Sequence, residues 1–358
     1  LINDVQIGTS ILVNDGLIEL KVEKIDDTDI VCRVINGGII SDRKAINVPG
    51  VHLSLPFLSD VDRRDLEFAM KTGFDFFALS FVRCAEDVLE VRRLQKEHNN
   101  TSKLIAKIES QEGVENLDAI IDVADGIMVA RGDMGVEIPF EKVPVVQKDM
   151  ISKCLKSGKF VIVATQMLES MTHNPRPTRA EVNDVANAIF DQTSAVMLSG
   201  ESAAGDYPVE AVKTMSRICH EIEKTTTTGK FEITYNGSNL ASSIACAACS
   251  IASVINADAI IPVSLSGSTI RKVSGFRPNI NIIGCSTNER VCRETSLMWG
   301  VTPVLITEQE DGEALINEVI NKCKTAGVIK SGNRVVIVAG FPLRIAGATN
   351  MIRVVDVE

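Results

Sequence analysis

The stretches Leu104-Ile-Ala-Lys-Ile-Glu109 and Gly126-Ile-Met-Val-Ala-Arg-Gly-Asp133 decide the fold, because each begins as a short apolar run and ends in charged residues. The apolar runs predict strands over residues 104–106 and 126–130. An uninterrupted apolar run of this length is typical of a strand buried on both faces of a parallel sheet. The segment 114–123 between them has a helical pattern, so the local unit is strand, helix, strand.

The same alternation continues in both directions along the chain. Further strands are predicted over 76–79, 160–164 and 195–198, and helices over 60–72, 86–94 and 141–155. A further helix begins at the capping box formed by Thr178 and Glu181, and Gly73 occupies the C-cap position of helix 60–72. Strands that alternate with amphipathic helices predict an α/β fold with a parallel sheet.

Two other segments flank this region. Residues 1–52 contain β-prone runs at 10–13, 17–22, 30–34 and 44–48, with the hairpin signal Asn14-Asp15-Gly16 between the first two. The polar run Thr225-Thr-Thr-Thr-Gly229 predicts a linker, and strands at 258–263, 281–285, 302–306, 334–339 and 351–357 follow it. We therefore predict a β-rich domain over 1–52, a central α/β domain over 53–224 and a C-terminal α/β domain over 230–358.

Composition excludes several classes of function. The chain has 358 residues and a formal net charge of −10, which disfavours nucleic acid as a partner because phosphate binding needs a basic face. No apolar stretch of 18 residues is present, so we predict no membrane span. The 9 dispersed cysteines are typical of reduced thiols in a cytosolic protein. Cys246 and Cys249 have the spacing of zinc and redox sites, but their alanine-rich surroundings favour a buried helix.

Polar side chains follow every predicted strand of the central region. They are Ser80, Lys107 with Glu109, Arg131 with Asp133, Thr165, and Ser199 with Glu201. Ligands bind at the carboxyl ends of strands in sheets and barrels built from βα units. The alternative is that strand ends are simply exposed to water, which explains one such residue better than a whole series.

Glu109 and Asp133 are candidate ligands for Mg²⁺, which prefers carboxylates together with substrate oxygens and water. Lys107 lies two residues before Glu109, so the two side chains share one face of the strand. A lysine beside a metal-bound carboxylate polarises a phosphate or an enolate. A Lys–Glu salt bridge without catalytic function is the alternative interpretation.

The turn Arg131-Gly-Asp-Met-Gly135 supplies backbone N–H groups that suit an anion, and its glycines permit close approach. Thr165, at the end of the next strand, carries a hydroxyl that can relay a proton. Each of these two signals is weak when taken alone.

Six longer motifs appear in a characteristic order along the chain. They are Ala106-Lys-Ile-Glu109, Ile127-Met-Val-Ala-Arg-Gly-Asp133, Ala164-Thr-Gln-Met-Leu-Glu-Ser-Met171, Pro175-Arg-Pro-Thr-Arg-Ala-Glu181, Asp184-Val-Ala-Asn-Ala188 and Met197-Leu-Ser-Gly-Glu201. Together they resemble the pyruvate kinase family, and the similarity covers essentially the whole chain.

The resemblance implies a fold and an activity. The fold is a (β/α)₈ TIM barrel, of which this chain holds strands 4–8, with a partial β-rich cap domain and a C-terminal α/β regulatory domain. The activity is phosphoryl transfer from phosphoenolpyruvate to ADP, giving pyruvate and ATP in glycolysis. The family also implies Mg²⁺ (or Mn²⁺) and K⁺ as cofactors, a cytoplasmic location and a homotetramer.

The resemblance also implies roles for individual residues. Lys107 is the implied catalytic lysine, Glu109 and Asp133 are the implied metal ligands, and Thr165 lies near the proton that ends on pyruvate. The implied substrate contacts are Ser80, Ala130, Arg131, Gly132, Asp133 and Thr165. The implied nucleotide contacts are Asp15 and Lys44.

One departure from the family concerns the residues that bind K⁺ and an arginine that binds phosphate. In the family they lie upstream of the point that corresponds to Leu1, with three barrel strands and half of the cap. We therefore expect residues 1–358 by themselves to lack ADP-dependent pyruvate formation, to aggregate, and still to bind an effector.

The loop Ser264-Leu-Ser-Gly-Ser-Thr269 precedes a helix that carries Arg271 and Lys272, and it resembles the family's effector phosphate loop. Hydroxyls, free N–H groups and a helix N-terminus together suit a phosphate. The predicted effector residues are Ser264, Ser266, Gly267, Ser268, Thr269 and, for a second phosphate, Arg344. An ordinary Ser/Gly turn is the alternative.

Two other functions are compatible with parts of the pattern. A metal-dependent lyase barrel that handles phosphoenolpyruvate or pyruvate also uses a Glu and an Asp at strand ends, and ADP dependence separates it from a kinase. The second alternative is a non-catalytic protein that retains only effector binding. Such a protein would bind its ligand without turnover.

Overall fold

The structure is a computed structural model that describes residues 1–42, 44–225, 239–343, 345 and 348–358. The chain divides into two compact units. Unit 1 holds residues 1–191 and 196–216, and unit 2 holds residues 192–195 and 217–358. Among the described residues, no helix is both long and apolar enough to cross a membrane.

Unit 1 begins with an antiparallel sheet. Its strands are β1 (Ser10–Val13), β2 (Ile18–Ile25), β3 (Ile30–Asn36) and β4 (Ile46–Asn47), in the order β3-β2-β1-β4. Asn14 and Asp15 both have φ of 56°, so the predicted hairpin turn is present. The predicted strand over 44–48 is shorter than expected, because only Ile46 and Asn47 pair with β1.

A parallel sheet forms the centre of unit 1. Its strands, in spatial order, are β5 (Phe76–Leu79), β6 (Lys103–Ile108), β7 (Gly126–Ala130), β8 (Phe160–Ala164) and β9 (Ala195–Val196). The neighbouring pairs from β5 to β8 are all parallel. The predicted mixed α/β fold with a parallel sheet is therefore confirmed.

Helices connect these strands. They are α1 (Asp60–Thr72), α2 (Ala85–Glu97), α3 (Gln111–Glu115), α4 (Leu117–Val123), α5 (Arg131–Glu137), α6 (Val143–Lys156), α7 (Arg179–Phe190), α8 (Gly200–Ala203) and α9 (Pro208–Thr225). The predicted capping box of Thr178 and Glu181 is present, and Gly73 ends α1 with φ of 83°. Thr225 belongs to α9, so the predicted linker does not include it, and the rest of that linker lies outside the described residues.

Gly126 shows why a glycine opens β7. A Cβ at this position would lie 2.2 Å from Cε2 of Phe160, so only glycine admits the ring. The same ring packs edge-on against Phe76, with centroids 6.0 Å apart. These contacts fix the amino ends of β5, β7 and β8, and the carboxyl ends of the strands are thereby held at the opposite edge of the sheet.

Unit 2 contains a second sheet, in the order β12-β11-β10-β13-β14. The strands are β10 (Ala259–Pro262), β11 (Asn281–Ser286), β12 (Val301–Leu305), β13 (Arg334–Gly340) and β14 (Thr349–Asp356), and only the β13–β14 pair is antiparallel. Its helices are α10 (Leu240–Val254), α11 (Ser268–Gly275), α12 (Glu289–Thr295) and α13 (Gly312–Thr325). Cys246 and Cys249 lie in α10, as predicted, and Cys249 is buried in the core that covers one face of the sheet.

Candidate active site

Lys107 lies near the carboxyl end of β6 in the parallel sheet. Its Nζ donates to Ser80 Oγ at 2.7 Å and lies 2.7 Å from Glu109 Oε1. Ser80 directly follows β5, whereas Lys107 and Glu109 belong to β6 and the residue after it. The prediction that Lys107 and Glu109 share a face is confirmed. The Lys107–Glu109 salt bridge is also present. It is compatible both with a catalytic lysine and with a salt bridge that has no catalytic function.

Glu109 is a buried carboxylate whose exposed fraction is 1%. Its Oε2 accepts a hydrogen bond of 2.5 Å from the Phe81 N–H, a partner that the sequence pattern did not reveal. Burial raises the pKa of Glu109, the hydrogen bonds from Lys107 and Phe81 oppose that rise, and the charge of Asp133 adds to it. The negative charge at Glu109 is therefore only partly compensated by the protein.

Asp133 lies in α5, immediately beyond the carboxyl end of β7. Its charge also contributes to the raised pKa of Glu137, whose main cause is again burial. A divalent cation near Glu109 and Asp133 would offset this excess of negative charge, and carboxylate oxygens are ligands that Mg²⁺ prefers. Among the described residues no cluster of three His, Cys, Asp or Glu side chains is arranged to hold a metal. A Mg²⁺ held by these two carboxylates would have to take its other ligands from substrate and water.

Thr165 follows β8 in an uncommon backbone conformation. Its φ is +67° and that of Gln166 is +53°, a region that β-branched residues rarely adopt. Thr165 Oγ1 accepts a hydrogen bond of 2.8 Å from the Gly132 N–H and donates to the Ala164 carbonyl at 2.6 Å. The Thr165 hydroxyl is thus placed beside the turn that carries Asp133.

Arg131 directs its guanidinium toward β8. Its Nη1 lies 2.6 Å from Asp184 Oδ1, and its Nη2 donates to the Thr165 carbonyl at 2.7 Å. Only 10% of the side chain is exposed. A substrate contact from Arg131 would therefore come from its backbone. Ala130 has no polar side-chain atom, so a substrate contact from it would likewise come from the main chain.

The two predicted nucleotide residues lie in segments that connect strands of the antiparallel sheet of unit 1. Asp15 is exposed in the β1–β2 turn, and the adjacent Gly16 faces Val136 of α5, whose Cγ1 lies 3.6 Å from a Cβ built on the glycine. Lys44 is exposed before β4, where Asn47 Nδ2 donates to Glu137 Oε1 at 2.9 Å. The turn and β4 thus both contact α5, the helix that carries Asp133.

Glu201, another of the predicted strand-end residues, binds backbone N–H groups. Glu201 is completely buried and accepts hydrogen bonds from the N–H groups of Leu168, at 3.0 Å, and Ser199, at 2.7 Å. It therefore joins the loop after β8 to the segment after β9. The prediction of a polar series at the strand ends correctly placed Glu201, but its observed contacts are to backbone.

The predicted effector loop borders a cavity of about 70 Å³ in unit 2. Ser264, Ser266 and Thr269 line the cavity, together with Thr287 and Glu308, which the sequence analysis did not select. Gly267, with φ of 76°, precedes Ser268, the first residue of α11. Thr269 Oγ1 lies 2.7 Å from Thr349 Oγ1 across the cavity wall. Arg344 lies outside the described residues.

Comparison with protein families assigns both parts of the chain. A model of the pyruvate kinase barrel domain matches residues 1–212, and a model of the pyruvate kinase alpha/beta domain matches residues 242–355. The chain belongs to the pyruvate kinase family. Lys107, Glu109, Asp133 and Thr165 fall within the barrel-domain match, and the loop 264–269 falls within the alpha/beta-domain match.

Individual relatives agree with this assignment. A protein of Clostridium acetobutylicum named pyruvate kinase is 46% identical over 362 residues, which cover 100% of this chain and 76% of the relative. A pyruvate kinase of Staphylococcus aureus strain MRSA252 is 46% identical over 359 residues, covering 99% of this chain and 61% of the relative. The chain thus spans about three quarters of the first relative and about three fifths of the second.

Proposed function

We propose that the protein transfers the phosphoryl group of phosphoenolpyruvate to ADP, forming pyruvate and ATP. The observation that carries this proposal is the ammonium of Lys107, held 2.7 Å from both Ser80 Oγ and Glu109 Oε1 where two parallel strands end. Phosphoryl transfer depends mainly on positioning and on electrostatic stabilisation of the phosphoryl oxygens. An ammonium fixed by a hydroxyl and a carboxylate is suited to that task.

Lys107 acts twice in the proposed reaction. It first neutralises the phosphoryl group while the bond to the enolate oxygen breaks and the bond to the ADP oxygen forms. It then stabilises the negative charge of the enolate that remains. A proton next reaches the methylene carbon of the enolate on the side of the Thr165 hydroxyl, and pyruvate results.

Glu109 and Asp133 would hold the Mg²⁺ or Mn²⁺, which supplies positive charge to the oxygens of the phosphoryl group when it is bound. Ser80 and the main chain of Ala130, Arg131, Gly132 and Asp133 would contact the substrate. The contacts of the β1–β2 turn and β4 with α5 support Asp15 and Lys44 as residues near the nucleotide. We take K⁺ dependence and a homotetramer from the family.

We also assign the family's finer architecture to this chain. Strands β5 to β9 would be barrel strands 4 to 8, with a cap domain over 1–52, a catalytic domain over 53–224 and a regulatory domain over 230–358. In the regulatory domain, the cavity beside Ser264, Ser266 and Thr269 would take the phosphate of a sugar phosphate or of AMP.

ADP dependence of pyruvate formation tests the proposed activity. The native protein that carries this chain is incubated with phosphoenolpyruvate and Mg²⁺, with and without ADP, and both pyruvate and ATP are measured. We expect the two products in equal amounts and only when ADP is present. Pyruvate formed without ADP would contradict the kinase, because the phosphoryl group would then have passed to water, and effector binding without turnover would indicate a non-catalytic protein.

The metal requirement tests the assignment of Glu109. The variant Glu109→Gln should need a higher Mg²⁺ concentration for half-maximal activity, because one charged oxygen ligand is lost. Glu112→Gln is the matched control, since the Glu112 carboxylate pairs with His52 at 3.0 Å instead. Equal metal requirements in the two variants would contradict the role of Glu109.

A further inference from the structure

The segment Thr165–Gln166 holds two consecutive non-glycine residues in the left-handed backbone region, with φ of +67° and +53°. A β-branched residue such as Thr165 is strongly disfavoured there, so surrounding contacts must impose the conformation. Such strained positions occur preferentially where a side chain must be held in a functional orientation.

Arg131 provides the main contacts that hold this segment. Nη2 donates to the Thr165 carbonyl at 2.7 Å and also lies 2.8 Å from Met167 Sδ, while Nε lies 3.4 Å from the Ala164 carbonyl. The guanidinium therefore binds the carbonyl groups of two consecutive residues, Ala164 and Thr165. The planar, rigid fork of arginine allows these contacts to be made together.

Asp184, in the first half of α7, fixes the orientation of that guanidinium. Its Oδ1 lies 2.6 Å from Arg131 Nη1, on the side of the fork away from Thr165. The next residue after Arg131 is Gly132, whose N–H donates to Thr165 Oγ1 at 2.8 Å. One anchored residue and its neighbour thus hold both the carbonyl and the hydroxyl of Thr165.

We propose that Asp184 and Arg131 are positioning residues, which keep the Thr165 hydroxyl oriented for the protonation of the enolate. This inference rests on the proposed function of the site. Without the Asp184 carboxylate, the guanidinium is free to rotate away from the Thr165 carbonyl. The strained segment then relaxes toward the extended region that threonine prefers, and the hydroxyl leaves Gly132.

Separate measurements of the two chemical steps test the proposal in the native protein that carries this chain. Phosphoryl transfer is measured as ATP formed in a single turnover, and proton transfer as deuterium exchange at C3 of pyruvate. Asp184→Asn should slow the exchange by about 10²-fold, as expected for a displacement on the order of 1 Å. ATP formation should fall much less, and the KM for phosphoenolpyruvate should stay within about twofold, because Lys107 is untouched. Asp184→Glu, which keeps the carboxylate, should restore part of the exchange.

Asp125→Asn is the matched control. Asp125 Oδ2 lies 2.5 Å from Arg92 Nη2 and accepts from the Leu104 N–H at 2.8 Å, so it is also a partly buried Arg–Asp pair. It precedes β7, at the amino ends of the strands. Its loss should lower thermal stability but leave the ratio of exchange to phosphoryl transfer unchanged.

The proposal is overturned if Asp184→Asn keeps the wild-type ratio of the two rates, or if its crystal structure retains the positive φ of Thr165. Should Asp184→Asn fail to fold, Arg131→Lys removes the fork while keeping the charge and is judged by the same two criteria. The crystal structure tests the positioning role even if ADP-dependent ATP formation fails, so the two proposals are refuted by different results.

Discussion

Replacing Lys107 with methionine removes one positive charge while keeping a side chain of similar length. In the structure the Lys107 side chain is 23% exposed, and its Nζ contacts both Ser80 and Glu109 at 2.7 Å. Loss of a fixed electrostatic donor of this kind lowers kcat by about 10²–10³, equivalent to about 2.7–4 kcal/mol of transition-state stabilisation. Binding of phosphoenolpyruvate should be largely retained, because the other proposed substrate contacts and the metal ligands remain.

The same substitution has a second effect, on Glu109. Burial and the charge of Asp133 raise the pKa of Glu109, and the hydrogen bond from Lys107 is the largest contribution that lowers it. In Lys107→Met the pKa of Glu109 therefore rises further above its value in the unfolded chain. A carboxyl with a raised pKa contributes its stability below the unfolded pKa and loses it as pH increases through the folded pKa.

The Tm of Lys107→Met should therefore lie below that of the wild type by a larger amount at pH 8 than at pH 5. Each further pKa unit corresponds to about 1.36 kcal/mol in the free energy of unfolding. For a domain the size of unit 1, this lowers Tm by about 2–4 °C. The double variant Lys107→Met/Glu109→Gln removes the titrating group, so the additional loss at pH 8 should disappear. This comparison isolates Glu109 as the cause.

Two assays decide the matter. A coupled assay of pyruvate formation gives kcat and KM, and calorimetry at the two pH values gives Tm. Near-normal turnover in Lys107→Met would remove Lys107 from the mechanism. A deficit in Tm that is equal at pH 5 and pH 8 would show that Lys107 does not control the pKa of Glu109.

Three further predictions concern other parts of the chain. Thr178→Ala removes the hydroxyl that accepts from the Glu181 N–H, so the free energy of unfolding should fall by about 0.5–2 kcal/mol in denaturant titrations, and an unchanged value would argue against the capping box. Burial raises the pKa of Cys154 and Cys249 to about 12, so both thiols should resist alkylation at pH 8 until the protein unfolds, and rapid labelling of the native protein would contradict their burial. Ser266→Glu should abolish binding of sugar phosphates and AMP in isothermal titration, whereas binding equal to wild type would exclude the loop as the phosphate site.

The positions of the site residues along the strands were predictable because spacing in a strand determines the face. Lys107 and Glu109, two residues apart, meet at 2.7 Å, as the alternation of a strand requires. The sequence pattern ended this strand at Ala106, but the ladder to β7 continues to Ile108, which pairs with Val129. A charged residue was read as the end of the strand, although pairing with the neighbouring strand decides where it ends.

Other features depend on contacts between distant residues, which local patterns do not contain. The predicted helix over 114–123 is interrupted at Asn116, where Nδ2 donates to the Arg83 carbonyl at 2.9 Å. The left-handed conformation of Thr165 depends on Arg131, and the orientation of Arg131 depends on Asp184, which lies 53 residues further along the chain. Asp184 belonged to a recognised motif, but its spacing gave no indication of its partner.

The fate of the phosphorus atom of phosphoenolpyruvate tests the central claim most directly. Phosphorus NMR of the native protein with phosphoenolpyruvate, ADP and Mg²⁺ should show the phosphoenolpyruvate signal replaced by the γ-phosphate signal of ATP, at a rate reduced by about 10²–10³ in Lys107→Met. Release of the phosphorus as free inorganic phosphate, or equal rates of transfer in the two proteins, would contradict phosphoryl transfer to ADP at this site.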